Sequence, residues 1–174
     1  VLDRLSRAQL GVPYVTLLGG PSAVQRELTV DQVAGARAAT RHLLGLGHTR
    51  IVHLSGPLEW FEAEARVHGY RAELEEAGLT PEPVLEGDWT AESGYRLGRR
   101  VLDDAGVTAV FASNDQMALG LYHAARERGL GIPEQLSVVG FDDIAEAAHF
   151  WPPLTTVLQD FTDLGRRSVE SLVA

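Results

Sequence analysis

Short apolar segments alternate along this chain with longer segments of helical periodicity, and this alternation restricts the fold more than any other feature. The apolar segments predict strands at 12–18, 51–54, 84–85, 108–112, 136–141 and 155–158. The intervening segments predict helices at 33–46, 61–77, 91–104, 116–128 and 163–173, with the end of another at 1–9. Strands and helices that alternate through short connections require right-handed crossovers and a mostly parallel sheet. The sequence therefore predicts an α/β fold built on doubly wound parallel sheets.

Composition removes several functional classes. The chain has 174 residues, a hydrophobic fraction of 45%, a net charge of −9, no cysteine and no lysine. Such a chain can bury a core, but it offers no cluster of basic residues for DNA phosphates. It also lacks the lysine of a phosphate-binding loop and the thiolate of a cysteine nucleophile or zinc site. The six histidines show no zinc spacing, so we expect no metal, no cofactor and no catalysis.

Polar side chains follow two of the predicted strands. Asn114 comes after the strand at 108–112, and Asp142 and Asp143 come after the strand at 136–141. Because the carboxyl ends of parallel strands open onto one edge of a sheet, Asn114 and Asp142 should face the same crevice. Each has an alternative interpretation: Asn114 as a helix N-cap, and the two aspartates as a metal or acid–base pair. We expect one aspartate to bind a ligand and the other to cap the turn through Ala145.

Arg66 and Trp89 also have two interpretations each. Arg66 lies one residue off the apolar stripe of its helix, where its guanidinium can fork onto vicinal hydroxyls or pair at the surface with Glu62. Trp89 follows a short strand within Gly87-Asp88-Trp89, where it can form an apolar wall for a ligand or simply pack.

Several motifs in a fixed order resemble those of the LacI/GalR family of bacterial transcription regulators. They are Leu46-Gly47-His48, Gly69-Tyr70-Arg71, Gly87-Asp88-Trp89, the run from Asn114 to Gly120, Val139-Gly140-Phe141-Asp142-Asp143 and Pro152-Pro153-Leu154-Thr155-Thr156. Each motif alone is weak, but their order and spacing make the resemblance specific from about Val12 to the last residue.

The resemblance implies a set of ligand-binding residues. These are Arg66, Trp89, Asn114, Asp142, Gln159, Phe161 and Leu18. Arg66, Asn114 and Asp142 would bind hydroxyls, Trp89 and Phe161 would be apolar walls, and Gln159 a polar clamp. Some galactoside-responsive members place a carboxylate where this chain has Leu17-Leu18, which argues against a galactoside and indicates a more apolar rim.

The resemblance also implies an organisation and a function. Residues 1–47 and 159–174 would form an incomplete DNA-proximal lobe, and residues 48–158 the distal lobe, of a periplasmic-binding-protein-like pair. The whole protein would be a cytoplasmic homodimeric repressor with a sugar effector, binding operator DNA through a helix-turn-helix absent from this chain, without contacting a membrane. Two alternatives stay open: an exported sugar-binding protein of the same fold, and an enzyme using Asp142 and Asp143.

Overall fold

The structure, a computed structural model, describes Val15 and residues 28–173. Its helices are α1 (Gln32–Gly45), α2 (Phe61–Glu76), α3 (Ala91–Val101), α4 (Asp115–Glu127) and α5 (Phe161–Val173). Its strands are β1 (Ile51–Ser55), β2 (Leu85–Glu86), β3 (Ala109–Ala112), β4 (Ser137–Asp142) and β5 (Thr155–Leu158). A 3-10 helix, Ala145–His149, follows β4.

The strands form one five-stranded parallel sheet in the order β2-β1-β3-β4-β5. The chain adds β2 on one side of β1 and then crosses over to add β3 on the other side. The helix after β1 lies on one face of the sheet and the helix after β3 lies on the other. A crevice therefore opens outside the carboxyl ends of these two neighbouring strands.

Helices cover both faces of the sheet, as expected for strands that are apolar throughout. On one face, α1 and α2 pack through Ala36, Leu43, Tyr70 and Leu74 against β1, β3 and β4. On the other face, α3 and α4 bury a second apolar cluster. Burying this much apolar surface is the main stabilising contribution to such a sheet and holds its carboxyl edge in place.

The chain divides into two compact units, one of Gln32–Leu158 and one of Val1–Asp31 with Gln159–Ala174. The larger unit contains the whole described sheet and α1 to α4, and α1 packs within it against α2. In the smaller unit the structure describes the helix α5. The assignment of 1–47 and 159–174 to a DNA-proximal lobe remains a prediction about the longer protein.

Most predicted elements of the described part are present, with small shifts at their ends. Gly47 and Gly78 have φ of +90° and +74° and follow α1 and α2, as glycines that end helices do. Helix α3 stops at Val101, before the predicted end at Asp104, and the 3-10 helix was not predicted. The predicted helix end at 1–9 and the strand at 12–18 fall outside the described residues, except for Val15. No helix of the described part is long and apolar enough to cross a membrane.

Candidate functional site

Arg66 lies at the centre of the carboxyl edge of the sheet. It belongs to the second turn of α2, and only 4% of its surface is exposed. Its Nε donates to Gln32 Oε1 of α1 at 2.8 Å, and its Nη1 donates to the backbone oxygen of Ser113, which follows β3. The surface pair with Glu62 is therefore wrong as the main role of Arg66, because the guanidinium is buried and held by two distant segments.

The guanidinium is also enclosed by aromatic rings and a carboxylate. Its Cζ lies 3.9 Å from the centre of the Phe141 ring and 5.5 Å from that of Trp89, both distances typical of cation–π contacts. Its Nη2 lies 3.7 Å from Asp142 Oδ1, a separation longer than a direct hydrogen bond. Burial lowers the pKa of Arg66 to about 10, against the opposing effect of the carboxylates of Asp142, Glu62 and Asp115. Arg66 thus stays protonated at neutral pH and presents a positive charge beside Asp142.

Asn114 links the start of α4 to the loop after β2. Its Oδ1 accepts from the backbone N–H of Met117 at 2.8 Å, so the predicted alternative of an N-cap is confirmed. Its Nδ2 donates to the backbone oxygen of Trp89 at 3.0 Å. Each bond uses one of the two hydrogen-bonding positions of its atom, so the cap and a ligand contact are compatible.

Trp89 forms an aromatic wall beside Arg66. Its ring lies over Gly56, where a Cβ would come within 2.2 Å of it, so Gly56 is needed for this packing. The ring also packs against the α3–α4 core and meets the more exposed Trp60 edge to face, with centroids 6.5 Å apart. Packing and wall formation are therefore both properties of the same side chain.

The loop after β4 is held by a buried carboxylate that the sequence analysis did not single out. Asp115 is fully buried; its Oδ2 accepts from Ile144 N–H at 2.9 Å and its Oδ1 from Thr156 Oγ1 at 2.6 Å. Burial raises the pKa of Asp115 above its usual value, although these hydrogen bonds oppose the rise. The expectation that Asp143 caps the turn through Ala145 is wrong, because the 3-10 helix has Ile144 at its N-cap and no side-chain cap.

The backbone at this edge is locally strained. Trp89, Asp142 and Asp143 have φ of 71°, 115° and 57°, and they are the non-glycine residues with positive φ in the described part of the chain. Such conformations persist where the surrounding structure enforces them, and they are frequent at ligand-binding sites.

A second layer of polar groups lies beneath Arg66. His53 of β1 is fully buried, stacks on Phe111 at 4.4 Å, and has Nδ1 2.9 Å from the backbone oxygen of Phe111. Its Nε2 lies 3.4 Å from Ser113 Oγ. Burial lowers the pKa of His53 to about 3, and the nearby charge of Arg66 adds to this effect. His53 is therefore neutral at physiological pH and serves as packing and a hydrogen-bond donor, as expected for a structural histidine.

Four of the seven predicted site residues converge in the larger unit: Arg66 contacts Asp142 and Trp89, and Asn114 contacts Trp89. Gln159 and Phe161 belong to the smaller unit, and Leu18 lies outside the described residues. The ligand-binding role of all seven stays a prediction.

Several members of this cluster were not predicted from the sequence. They are Gln32, Trp60, Asp115 and Phe141. Only Phe141 and Asp115 lay within motifs that had drawn attention, as neighbours of the residues chosen. Within the part of the chain that the structure describes, no group of three or more histidine, cysteine or acidic residues could hold a metal ion.

Comparison with known proteins places this chain in a family. The model of the periplasmic binding protein-like domain matches residues 40–174. The HTH-type transcriptional repressor PurR of Haemophilus influenzae (strain PittEE) is 39% identical over 99% of this chain and 52% of its own length. The regulator CelR of Thermobifida fusca is 38% identical over 95% of this chain and 50% of its own length. The chain thus spans about half the length of the curated relatives it matches.

Solved structures agree with the sequence comparison. The Lac repressor dimer bound to operator and the anti-inducer ONPF matches with a TM-score of 0.91 and 36% identity, over 98% of this chain and 60% of that one. The complex of the regulator CelR with cellobiose matches with a TM-score of 0.86 and 38% identity, over 94% of this chain and 52% of that one. This chain belongs to the family of periplasmic-binding-protein-like domains, in the form carried by LacI-type transcription regulators.

Proposed function

We propose that this chain is the effector-binding part of a LacI-type repressor, and that its effector is a sugar or a similar small polyol. The observation that carries the proposal is the convergence of Arg66, Asp142 and Trp89 at the carboxyl edge of the sheet. A guanidinium and a carboxylate offer a fixed donor and acceptor for adjacent hydroxyls, and an indole face suits the apolar face of a sugar ring. The relatives are named as transcription repressors and regulators rather than as enzymes, and we assign no reaction to the chain.

The proposed mechanism is a shift between two arrangements of the protein. An effector that binds one arrangement better than the other changes the population of each, and so the affinity for DNA. Operator DNA would be bound in the cytoplasm by a helix-turn-helix, the element for which the HTH-type relatives are named. The acidic composition of the chain, with a net charge of −9, is consistent with DNA contact lying elsewhere.

The proposed repressor is a homodimer, as the matching Lac repressor structure is a dimer. In the larger unit, Trp151 is 94% exposed and borders a groove that Leu119, Tyr122 and Phe150 also line. Trp151 and the exposed Leu119 give this groove an exposed apolar patch, the kind of surface that marks a protein–protein contact, so we assign this face to the contact with a second copy. Trp151→Glu should convert the dimer to a monomer in analytical ultracentrifugation, and an unchanged dimer would place the contact elsewhere.

The effector site is tested with Asp142→Asn in the full-length protein. Asparagine tolerates positive φ and has the same size, so the change removes the charge with little effect on packing. We expect Asp142→Asn to bind selected operator DNA like the wild type, but to need roughly ten- to hundredfold more sugar for release, the scale of one charged hydrogen bond.

Arg99→Ala is the control for this experiment, because Arg99 lies exposed on α3 and its guanidinium is near the Tyr95 ring. Fluorescence anisotropy of labelled operator, titrated with mono- and disaccharides, gives both affinities. If the Asp142→Asn protein leaves operator DNA at the same sugar concentration as the wild type, the assignment of Asp142 to the effector site is wrong. If the wild type binds no sugar, the proposed function is wrong.

A further inference from the structure

Trp60 is a large aromatic side chain held at the rim of the candidate site without being buried. It occupies the N-cap position of α2, and 51% of its surface is exposed. Its backbone is fixed on both sides, since its N–H donates to the Pro57 oxygen at 3.0 Å and its oxygen accepts from Glu64 N–H at 3.1 Å. These bonds fix the backbone of Trp60, and its ring lies against Trp89 with about half of the residue still exposed.

Trp60 and Trp89 make two walls that meet at a right angle. Their ring planes are inclined by 82° and their centroids lie 6.5 Å apart. Trp89 is the inner wall, because it is half-buried over Gly56 and lies next to the Arg66 guanidinium. Trp60 is the outer wall, because it is the more exposed of the two. One indole covers about one sugar ring, so two indoles at successive depths provide for two rings.

The charges around these walls disfavour an anionic ligand. The carboxylates of Asp142, Glu62 and Asp115 all act on the buried charge of Arg66, and Asp142 lies 3.7 Å from it. The exposed carboxylate of Glu86 accepts from the backbone N–H of Leu58 at 3.0 Å, beside the Trp60 turn. A phosphate or carboxylate on the ligand would meet these negative charges beside the Arg66 guanidinium.

We propose that the effector is a neutral disaccharide or longer glycoside, with one ring on Trp89 and the next on Trp60. This inference rests on the proposed function and specifies its ligand class. The hydroxyls of the inner ring reach Arg66 and Asp142, and the outer ring gains affinity mainly by covering the exposed indole. Trp60 then determines mainly whether a second ring adds to binding.

Calorimetric titration of the full-length protein tests this with cellobiose, maltose and lactose against glucose, galactose and glucose 6-phosphate. We expect at least one disaccharide to bind about tenfold tighter than either monosaccharide, and glucose 6-phosphate to bind more weakly than glucose. Trp60→Ala should remove most of the disaccharide advantage, roughly a tenfold loss. Monosaccharide affinity should change less, because the single ring lies on Trp89.

Two further variants make the result specific. Trp60→Phe should retain most of the disaccharide advantage, since a smaller aromatic face remains. Phe61→Ala is the control for Trp60→Ala, because it removes the adjacent exposed aromatic side chain and leaves Trp60 and Trp89 in place. It should retain the disaccharide advantage. Thermal unfolding shows that each variant is folded.

Equal affinity for glucose and for every disaccharide, or an unchanged disaccharide affinity in Trp60→Ala, would overturn the second ring position while leaving the sugar site intact. A folded wild type that binds none of the six probes would instead overturn the proposed function, and this inference with it.

Discussion

The two ends of the sheet carry the same residue types in different surroundings. At the amino end, Arg50 pairs with Glu82 at 2.9 Å and Asp104 at 2.7 Å, and its side chain is 42% exposed. At the carboxyl end, the Arg66 side chain is 5% exposed, and its charge lies between two aromatic rings and Asp142. Water screens the first set of charges, so its pairs add little to stability. The second set is screened much less, so its charges act more strongly on a polar ligand.

The backbone shows the same difference. The strained positions of Trp89, Asp142 and Asp143 all lie at or just beyond the carboxyl ends of β2 and β4. At the amino end, His48 bridges Thr108 and Ser137 through bonds of 2.8 Å each. The amino end is thus tied together by ordinary contacts, whereas the carboxyl end holds side chains in positions that cost free energy. The candidate site is therefore distinguished by its position at the carboxyl end of the sheet and by its strained backbone, because polar residues occur at both ends.

The largest expected effect comes from removing the buried charge. Arg66→Met keeps an apolar stem but removes the hydrogen bonds to Gln32 and to the Ser113 oxygen and the positive charge beside Asp142, so the free energy of unfolding should fall by about 3 kcal/mol. Arg50→Met, at the exposed end, should unfold at nearly the wild-type urea concentration. Chemical denaturation of both variants measures the contrast, and equal midpoints would refute the distinction between the two ends.

The second effect is a dependence of stability on pH. The pKa of His53 is about 3 in the folded state and near 6.5 when unfolded, so the unfolded state binds the extra proton between these values. The contribution of neutral His53 to the free energy of unfolding is fully present above pH 6.5. It falls by about 1.4 kcal/mol per pH unit below that value and is lost below about pH 3. His53→Phe should flatten this slope in denaturation between pH 6.5 and 4.5.

His48 is the control at the amino end. Partial burial lowers its pKa in the same direction, and it is less enclosed than His53. His48→Gln should therefore change the slope less than His53→Phe does. A His53→Phe protein that loses stability as steeply as the wild type on acidification would show that another group is responsible.

The fold was predictable because its elements have strong local signals. The apolar runs of β1, β3 and β4 and the glycines after α1 and α2 set most boundaries within a few residues. The 3-10 helix was not predicted because the segment Ala145–His149 is too short to show a helical stripe. The residue before it, Ile144, is held by a hydrogen bond to the Asp115 carboxylate. That bond joins segments 29 residues apart, so it leaves no local signal in the sequence.

The candidate site was predictable in part for the same reason. Asn114 and Asp142 follow strands, so topology alone brings them to one edge. The burial of Arg66 depends on Gln32, 34 residues earlier, and on Phe141, and neither contact is visible from the periodicity of α2. Residues alone favoured a surface pair with Glu62, and only the family resemblance pointed to the crevice. Trp60 gave no signal, because it lies before a helix and outside every motif.

A third, smaller effect separates the two roles of Asn114. Asn114→Ala should lower the free energy of unfolding by about 1 kcal/mol, as the loss of an N-cap usually does. Asn114→Asp should keep the cap but lose the bond from Nδ2 to Trp89, and with it much of the sugar affinity. Thr90→Ala, which removes the cap of α3, is the matched control for stability. Calorimetry that finds wild-type sugar affinity in Asn114→Asp would confine Asn114 to capping.

The smallest effect compares one buried hydroxyl at each end of the sheet. Ser55 Oγ, at the carboxyl end of β1, is buried with no hydrogen-bond partner within the described part of the chain, whereas Ser137 Oγ lies 2.8 Å from His48 Nε2. An unpaired buried hydroxyl costs free energy and a paired one contributes about 1 kcal/mol. Ser137→Ala should thus destabilise by about 1 kcal/mol, and Ser55→Ala should be neutral or stabilising by up to about 1 kcal/mol. A Ser55→Ala protein less stable than Ser137→Ala would mean that the Ser55 hydroxyl is hydrogen-bonded in solution. The two ends of the sheet would then not differ at this pair of hydroxyls.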